Sequence, residues 1–197
     1  MSSLPFRLSL LTAPVDEPVS LAEAKLHASI DESASNASVA AMISAARKLA
    51  ENYTRRVFIT QTWKMFLDEW PCASFIELPK APLQSVTHIK TYDDSDAATT
   101  LAASNYFVDT MTKPGRIVLR GTGSWPTVAR VANGIEIQFV AGYATNPADV
   151  PAEIRQAILM MVTNMYEHRG ETITGGGTSE AKDGAYELLS AHKDWTL

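Results

Sequence analysis

Tyr166-Glu167-His168-Arg169 sets a carboxylate beside an imidazole, the pairing used in general acid–base chemistry. Neighbours on a helix project about 100° apart, so Glu167 and His168 do not converge on one substrate atom. The run reads instead as a helix end, where His and Arg suit the negative pole of the dipole. The histidines His27, His88, His168 and His192 include no pair three or four apart, the spacing that holds zinc on one helix. Asp93-Asp94-Ser95-Asp96 is rich in carboxylates but lacks the twelve-residue loop and terminal glutamate of a calcium site. It reads as a solvated hairpin tip. "TGGGTSE" is followed by no Gly-Lys-Ser/Thr, so it cannot cradle phosphates as a P-loop does. "GTGSWP" lacks the nucleophile-elbow pattern, and Cys72 has no evident base partner. As the single cysteine, Cys72 also excludes a disulfide framework and paired-cysteine metal sites. No catalytic, cofactor or metal residue is assigned, and the chain is read as something other than an enzyme.

Composition narrows the classes further. Of 197 residues 46% are hydrophobic and 20% charged, which fits a globular chain of one domain with an inserted module. Seventeen basic against 22 acidic residues leave a net charge of −5, which argues against a dedicated nucleic-acid binder. The opening "MSSLPFRLSLLTAP" is too short and too mixed, with Arg7 inside it, for a signal peptide or a membrane span. A soluble cytoplasmic product is expected.

The supporting elements follow from periodicity. "PVSLAEAKLHASI" opens a first helix, with Ser20 and Glu23 at capping-box spacing. A second spans about Ser38 to Arg56, with Val39, Met42, Ile43, Ala46, Leu49, Ala50 and Tyr53 on one stripe. Ser44, Arg47, Lys48, Glu51 and Asn52 fall opposite, which predicts one packed and one wet face. From Ile59 to Gly142 the texture is that of short strands: "QTWKMFLDEW", "SFIEL", "SVTHIKTY", "NYFVD", "RIVLR" and "GIEIQFVAGY". Pro, Gly and Asn punctuate them, Asn133-Gly134 being the strongest hairpin signal, and an antiparallel meander is expected. Helix resumes over Val150–Gly170, followed by the "GETITGGGTSE" loop and a short last helix or tail. The expected fold class is α+β. A small bundle of two N-terminal and one or two C-terminal helices carries an inserted antiparallel β module, with divisions at 1–58, 59–145 and 146–197.

The helix after Val150 is apolar on more than one side. Ile154, Ala157, Ile158, Met161 and Met165 form a stripe; Leu159, Met160 and Val162 lie outside it. Burying a Leu or Met is worth about 1.5–3 kcal/mol, so three left wet would be costly. Either the rest of the chain covers them or a second copy does. The basic residues Arg47, Lys48, Arg55 and Arg56 have two readings as well, a solvated face or pairing with acidic segments of a neighbour.

Several segments in order resemble the head–tail connector (adaptor) family of long-tailed bacteriophages and gene transfer agents. They run from "SLAEAKLHASID" and "AARKLAENYTRRVFITQTW" through "LPKAPLQSVTHIKTYDD", "NYFVD", "GRIVL" and "SWP". "IEIQFVAGY" and "VPAEIRQAILMMVTNMYEHRG" complete them. The most specific are Leu78-Pro79 with Pro82-Leu83, Trp125-Pro126, and the Tyr166–Arg169 helix end. The resemblance implies a homo-oligomeric ring, commonly of twelve, beneath a portal protein. Such a ring extends the channel through which DNA passes without sequence-specific contact, and it presents a platform to a stopper or tail protein. It implies assembly in the bacterial cytoplasm into the neck of a phage or gene-transfer particle, with no membrane and no cofactor. The positions matching the portal-gripping tail are Tyr186, Leu188, Leu189, Trp195 and Leu197, although "SAHKDWTL" departs from the usual pattern. The subunit interface would draw on Leu159, Met160, Val162, Tyr166, Arg169, Arg55 and Arg56. The rival reading is a ligand- or carbohydrate-binding module on the β insertion, with Trp63, Trp70, Tyr92 and Trp125 as an aromatic platform.

Overall fold

A computed structural model describes residues 6–31, 35–168 and 178–194. The chain forms two compact units, and each is assembled from separated stretches of sequence. Helices build one, from Pro14–Ile59 and the chain after Gly142; strands build the other, from 6–13 and Thr60–Gly142.

In the helical unit, Ser20 caps α1 (Leu21–His27) as its spacing predicts: Ser20 Oγ accepts the Glu23 N–H at 3.2 Å. The Glu23 carboxylate returns to the Ser20 N–H at 2.7 Å. The second helix, α2 (Asn36–Thr54), buries Val39, Ile43, Ala46 and Ala50, one residue per turn, and stops where Arg55 turns left-handed at φ 58°. In α3 (Ala152–Glu167), Ile154, Ala157, Ile158 and Met161 face the core. The end of the chain folds as α4 (Thr178–Ser190), with Ala185 and Leu189 buried. All four helices join Phe58, Ile59 and Val150 in one apolar cluster. No helix among the described residues is long and apolar enough to cross a membrane.

Two expectations fail on α2. Leu49, placed on the packed stripe, is exposed because it falls at the edge of that stripe, beside Lys48. Arg47 and Glu51 were placed on its wet side, and both are buried. Their burial is possible because they neutralise each other, with Glu17 on the far edge of the guanidinium.

The β unit begins earlier than its sequence texture suggests. Phe6–Thr12 forms β1, followed by β2 (Gln61–Leu67), β3 (Phe75–Glu77), β4 (Leu83–Tyr92), β5 (Ala98–Thr100), β6 (Tyr106–Asp109), β7 (Arg116–Leu119) and β8 (Ile135–Ala141). Two antiparallel sheets result, one ordered β1-β2-β8-β4-β5 and the other β3-β7-β6. The α+β class is therefore as expected, but the strands do not make a meander. The last strand sits at the middle of the larger sheet, with Met65 opposite Ile137 and Ile137 opposite Ile89.

Asn133-Gly134 makes no hairpin either. Asn133 does adopt positive φ, 53°, but it leads into β8, and its N–H donates to Asp68 Oδ1 at 2.7 Å. The local conformation was legible; the partner of the following strand is distant in sequence and was not.

Candidate assembly surfaces

The apolar circumference of α3 is covered largely by its own chain. Val162 is fully buried, and Leu159, Met160, Met165 and Tyr166 are half-buried against the helical core. The helix α4 supplies much of that cover. Gly184 brings its backbone so close to Met160 that a Cβ there would stand 3.1 Å from Met160 Cε. A side chain with no exposed atoms has nothing to offer a neighbour, so Val162 leaves the set of interface residues. Leu159, Met160 and Tyr166 keep an open side; Arg169 lies outside the described residues.

The same correction applies to the tail. Leu189 is fully buried in the helical core and is not a free portal contact. Tyr186 is half-buried and meets Tyr53 edge-on, ring centroids 4.8 Å apart. Lys193 Nζ lies over the Tyr53 ring, 4.6 Å from its centroid. Leu188 is half-buried beside them, while Trp195 and Leu197 lie outside the described residues.

The basic residues at the end of α2 separate into three environments. Arg47 belongs to the buried network. Burial works against its charge, but the Glu17 and Glu51 carboxylates outweigh that and raise its pKa. Arg56 is half-buried and donates from Nη1 to Tyr143 Oη at 2.8 Å. Arg55 is exposed at the left-handed cap, and Lys48 is exposed on the helix. Only part of the anticipated cluster is therefore presented to solvent.

Two further groups of charge were not foreseen. In the helical unit Arg155 pairs with Glu23 and also donates to the Pro18 carbonyl at 3.2 Å, tying α3 to the start of α1. The Ser20 N–H and hydroxyl, then Arg155, hold the Glu23 carboxyl below its ordinary pKa. In the β unit Glu136, only 5% exposed, accepts from Lys64 Nζ at 3.1 Å and Tyr92 Oη at 3.2 Å. His88 Nε2 lies 2.8 Å from the same carboxylate. Burial pushes the Glu136 pKa up, yet the hydrogen bonds from His88 and Lys64 prevail and hold it down. Three strands, β2, β4 and β8, are pinned through one carboxylate. Alternation along "GIEIQF" marks Glu136 as facing away from the isoleucines, but the groups that meet it come from strands far off in sequence.

The proposed aromatic platform is not formed. Trp70 and Trp125 stack on each other, centroids 4.5 Å apart and planes within 8°. Each indole N–H is spent on the backbone, Trp70 on the Pro126 carbonyl at 2.7 Å and Trp125 on that of Ala73 at 2.9 Å. Trp63 lies under Lys80 Nζ, and Tyr92 lies under Arg130 while its hydroxyl serves Glu136. The Trp125-Pro126 motif is thus a fastener of the loop after β7. Leu78-Pro79 and Pro82-Leu83 work the same way: Leu78 N–H donates to Gly115 O at 2.8 Å, and Gly142 N–H to Pro82 O at 2.9 Å. Leu83 fills the space that a side chain at Gly115 would need. Among the described residues, no three His, Cys, Asp or Glu side chains are grouped to hold a metal ion.

Solved structures share this fold. A chain in the neck of an empty gene transfer agent (GTA) particle, computed with C6 symmetry, superposes with a TM-score of 0.83 at 22% identity over 97% of both chains. A chain from the virion of a native GTA particle gives 0.82 at 22% identity over 96% of both, and one from a native GTA neck computed with C12 symmetry gives 0.75 at 22% over 97%. No curated protein matches the chain. The model of the head completion protein family matches residues 18–192, through both units, and the chain belongs to that family. The likeness to head–tail connectors carried by the sequence motifs stands with it.

Proposed function

We propose that this chain is a structural subunit of the neck of a phage-like particle. Identical copies form a ring beneath the portal, extend its DNA channel and offer a platform to a stopper or tail protein. The observation that carries this reading is the family match across residues 18–192, joined to a fold that follows GTA neck chains over nearly their whole length. A closed ring of one subunit type needs head-to-tail contacts between unlike surface patches. Leu159, Met160 and Tyr166 on the open side of α3, with Arg55, Arg56 and Arg169, are the proposed contributors to that contact. Tyr186, Leu188, Trp195 and Leu197 are proposed for the portal.

Charge distribution agrees with a conduit. Acidic and basic side chains balance in the β unit, so the net −5 resides in the helical unit. An acidic lining repels phosphate and lets DNA slide.

Light scattering of the purified chain, alone and mixed with its portal, tests the proposal. A portal-dependent ring is expected, and a chain that never joins a portal at any salt concentration overturns it. The charge-reversed pair Arg55→Glu and Arg56→Glu should weaken ring formation at low salt, and an unaffected ring removes the electrostatic contact. Truncating the tail would confuse the test because Leu189 is core; Leu188→Ala with Trp195→Ala probes the portal contact while Leu189 stays in place, with the melting temperature of the free chain as the control for lost packing at Leu188.

A further inference from the structure

Asn133-Gly134 is the one Asn-Gly pair in the sequence, and the pair is chemically reactive. Glycine carries no side chain to hinder its own nitrogen, and asparagine is among the thermolabile residues. The Gly134 nitrogen, giving up its proton, can attack Cγ of Asn133. A C–N bond forms in a five-membered succinimide, the bond to the side-chain nitrogen breaks, and ammonia leaves with that proton. Water then opens the ring at either carbonyl, leaving an aspartyl or an isoaspartyl residue at position 133. The attack requires the Asn133 side chain and the following peptide to turn towards each other.

The fold holds both partners of that rotation in place. Arg7 Nη1 donates to Asn133 Oδ1 at 2.8 Å, and the Asn133 N–H donates to Asp68 Oδ1 at 2.7 Å. Arg7 and Asp68 also pair with each other at 3.3 Å, so the two jaws of the clamp are joined. The Asn133 N–H, with Arg7 beside it, keeps the Asp68 carboxyl below its ordinary pKa and therefore charged. Beyond the reactive bond, the Tyr92 N–H donates to Gly134 O at 2.8 Å. Gly134 is buried, with Val128 and the Arg130 carbonyl where a Cβ would stand, so its peptide has little room to swing. One jaw, Arg7, belongs to β1, an edge strand paired with β2 alone. Edge elements open locally at less cost than the core does. We propose that Asn133-Gly134 is a latent deamidation site, shut while β1 is docked and open to ring closure when β1 lifts away. The change does not reverse. A carboxylate at 133 faces Asp68 across a single arginine, and an isoaspartyl link adds a backbone atom where Gly134 has no room. The chain then keeps a permanent mark of having lost its first strand. This site does not rest on the neck reading.

Mass spectrometry of the full chain, kept at neutral pH in water labelled with heavy oxygen, reads the reaction as label taken up at position 133. A peptide of residues 130–139 supplies the unprotected rate. Where opening and closing are fast, reactivity tracks the open population. The wild-type chain should therefore react about tenfold or more slowly than the peptide. Arg7→Ala and Asp68→Ala, both at exposed or partly exposed side chains, should each react several-fold faster than wild type. Ile158→Ala, which weakens the helical unit without touching the clamp, should not. A wild-type chain that reacts at the peptide rate overturns the inference. So does an Arg7→Ala or Asp68→Ala chain no faster than wild type; a slower one would make Arg7 an activator of the amide, the opposite role. Equal acceleration by Ile158→Ala would assign the reaction to global unfolding and overturn it too.

Discussion

Arg47 and Glu51 stand one turn apart on α2 and pair at 3.0 Å with their side chains only 7% and 10% exposed. The second oxygen of Glu51 accepts the Phe58 N–H at 3.0 Å, and Glu17 meets Arg47 Nε at 2.6 Å. One buried carboxylate thus fixes both the arginine and the chain that leaves the helix. Removing it leaves a buried guanidinium with half its partners and an orphaned backbone donor. Glu51→Ala is expected to cost about 3 kcal/mol in urea unfolding, the range for breaking a buried pair. A loss below about 1 kcal/mol, the value of an exposed pair, would contradict this account.

Acid should loosen the β unit through Glu136. Its folded pKa is lowered, so the unfolded chain takes up the proton first as pH falls. The contribution is complete above the unfolded carboxylate value of about 4.3 and fades as pH drops through the lower folded value. Glu136→Gln should therefore lower stability at pH 7 and flatten its decline between pH 5 and 3, read from denaturant midpoints. An acid limb as steep as that of the wild type would sink the assignment.

Two adjacent residues of α3 separate packing from assembly. Ile158 is fully buried, and Ile158→Ala should cost about 2–5 kcal/mol. Leu159 is half-buried, so Leu159→Ala should cost the free chain less while weakening ring formation on the portal. Differential scanning calorimetry beside a portal-binding assay distinguishes the two. Equal thermal loss with full assembly would remove Leu159 from the interface.

Gly134 and Gly121 should respond to alanine for different reasons. A Cβ at Gly134 would lie 2.6 Å from the Arg130 carbonyl oxygen, backbone that cannot swing aside. Overpacking of this kind costs about 1–3 kcal/mol. Gly121 meets nothing within 4 Å, but its φ of 60° is left-handed, and a side chain there costs about 1–2 kcal/mol. Chemical denaturation should rank Gly134→Ala as the more damaging, and the reverse order would put the strain in the wrong place.

What the sequence revealed was local. The Ser20–Glu23 cap, the α2 stripe, the β4–β5 tip and the positive φ of Asn133 each depend on residues within one turn of one another. The Asp93 carboxylate indeed closes its tip by accepting the Ser95 and Ala97 N–H groups. Features set by distant partners were hidden. Arg47 looked solvent-facing because Glu17 lies thirty residues away, and "FRLSLLT" was not recognised as a strand because its partner begins at Gln61. Leu189 and Val162 looked available because periodicity shows that a side is apolar but not what lies on it. The interface side chains were only partly legible for the same reason.

The position of β8 between β2 and β4 has a consequence for biogenesis. Leu8 needs Met65, Met65 needs Ile137, and Ile137 lies over two-thirds of the way along the chain. A nascent chain therefore holds β2 and β4 without their common neighbour until Ala141 clears the ribosome, while α1 and α2 await α3. Loop closures of this span slow folding and leave unsatisfied strands exposed in the meantime. The β unit can close only once β8 has been made, and the helical unit only after α3 and α4, so a product terminated before Ala141 contains no finished half.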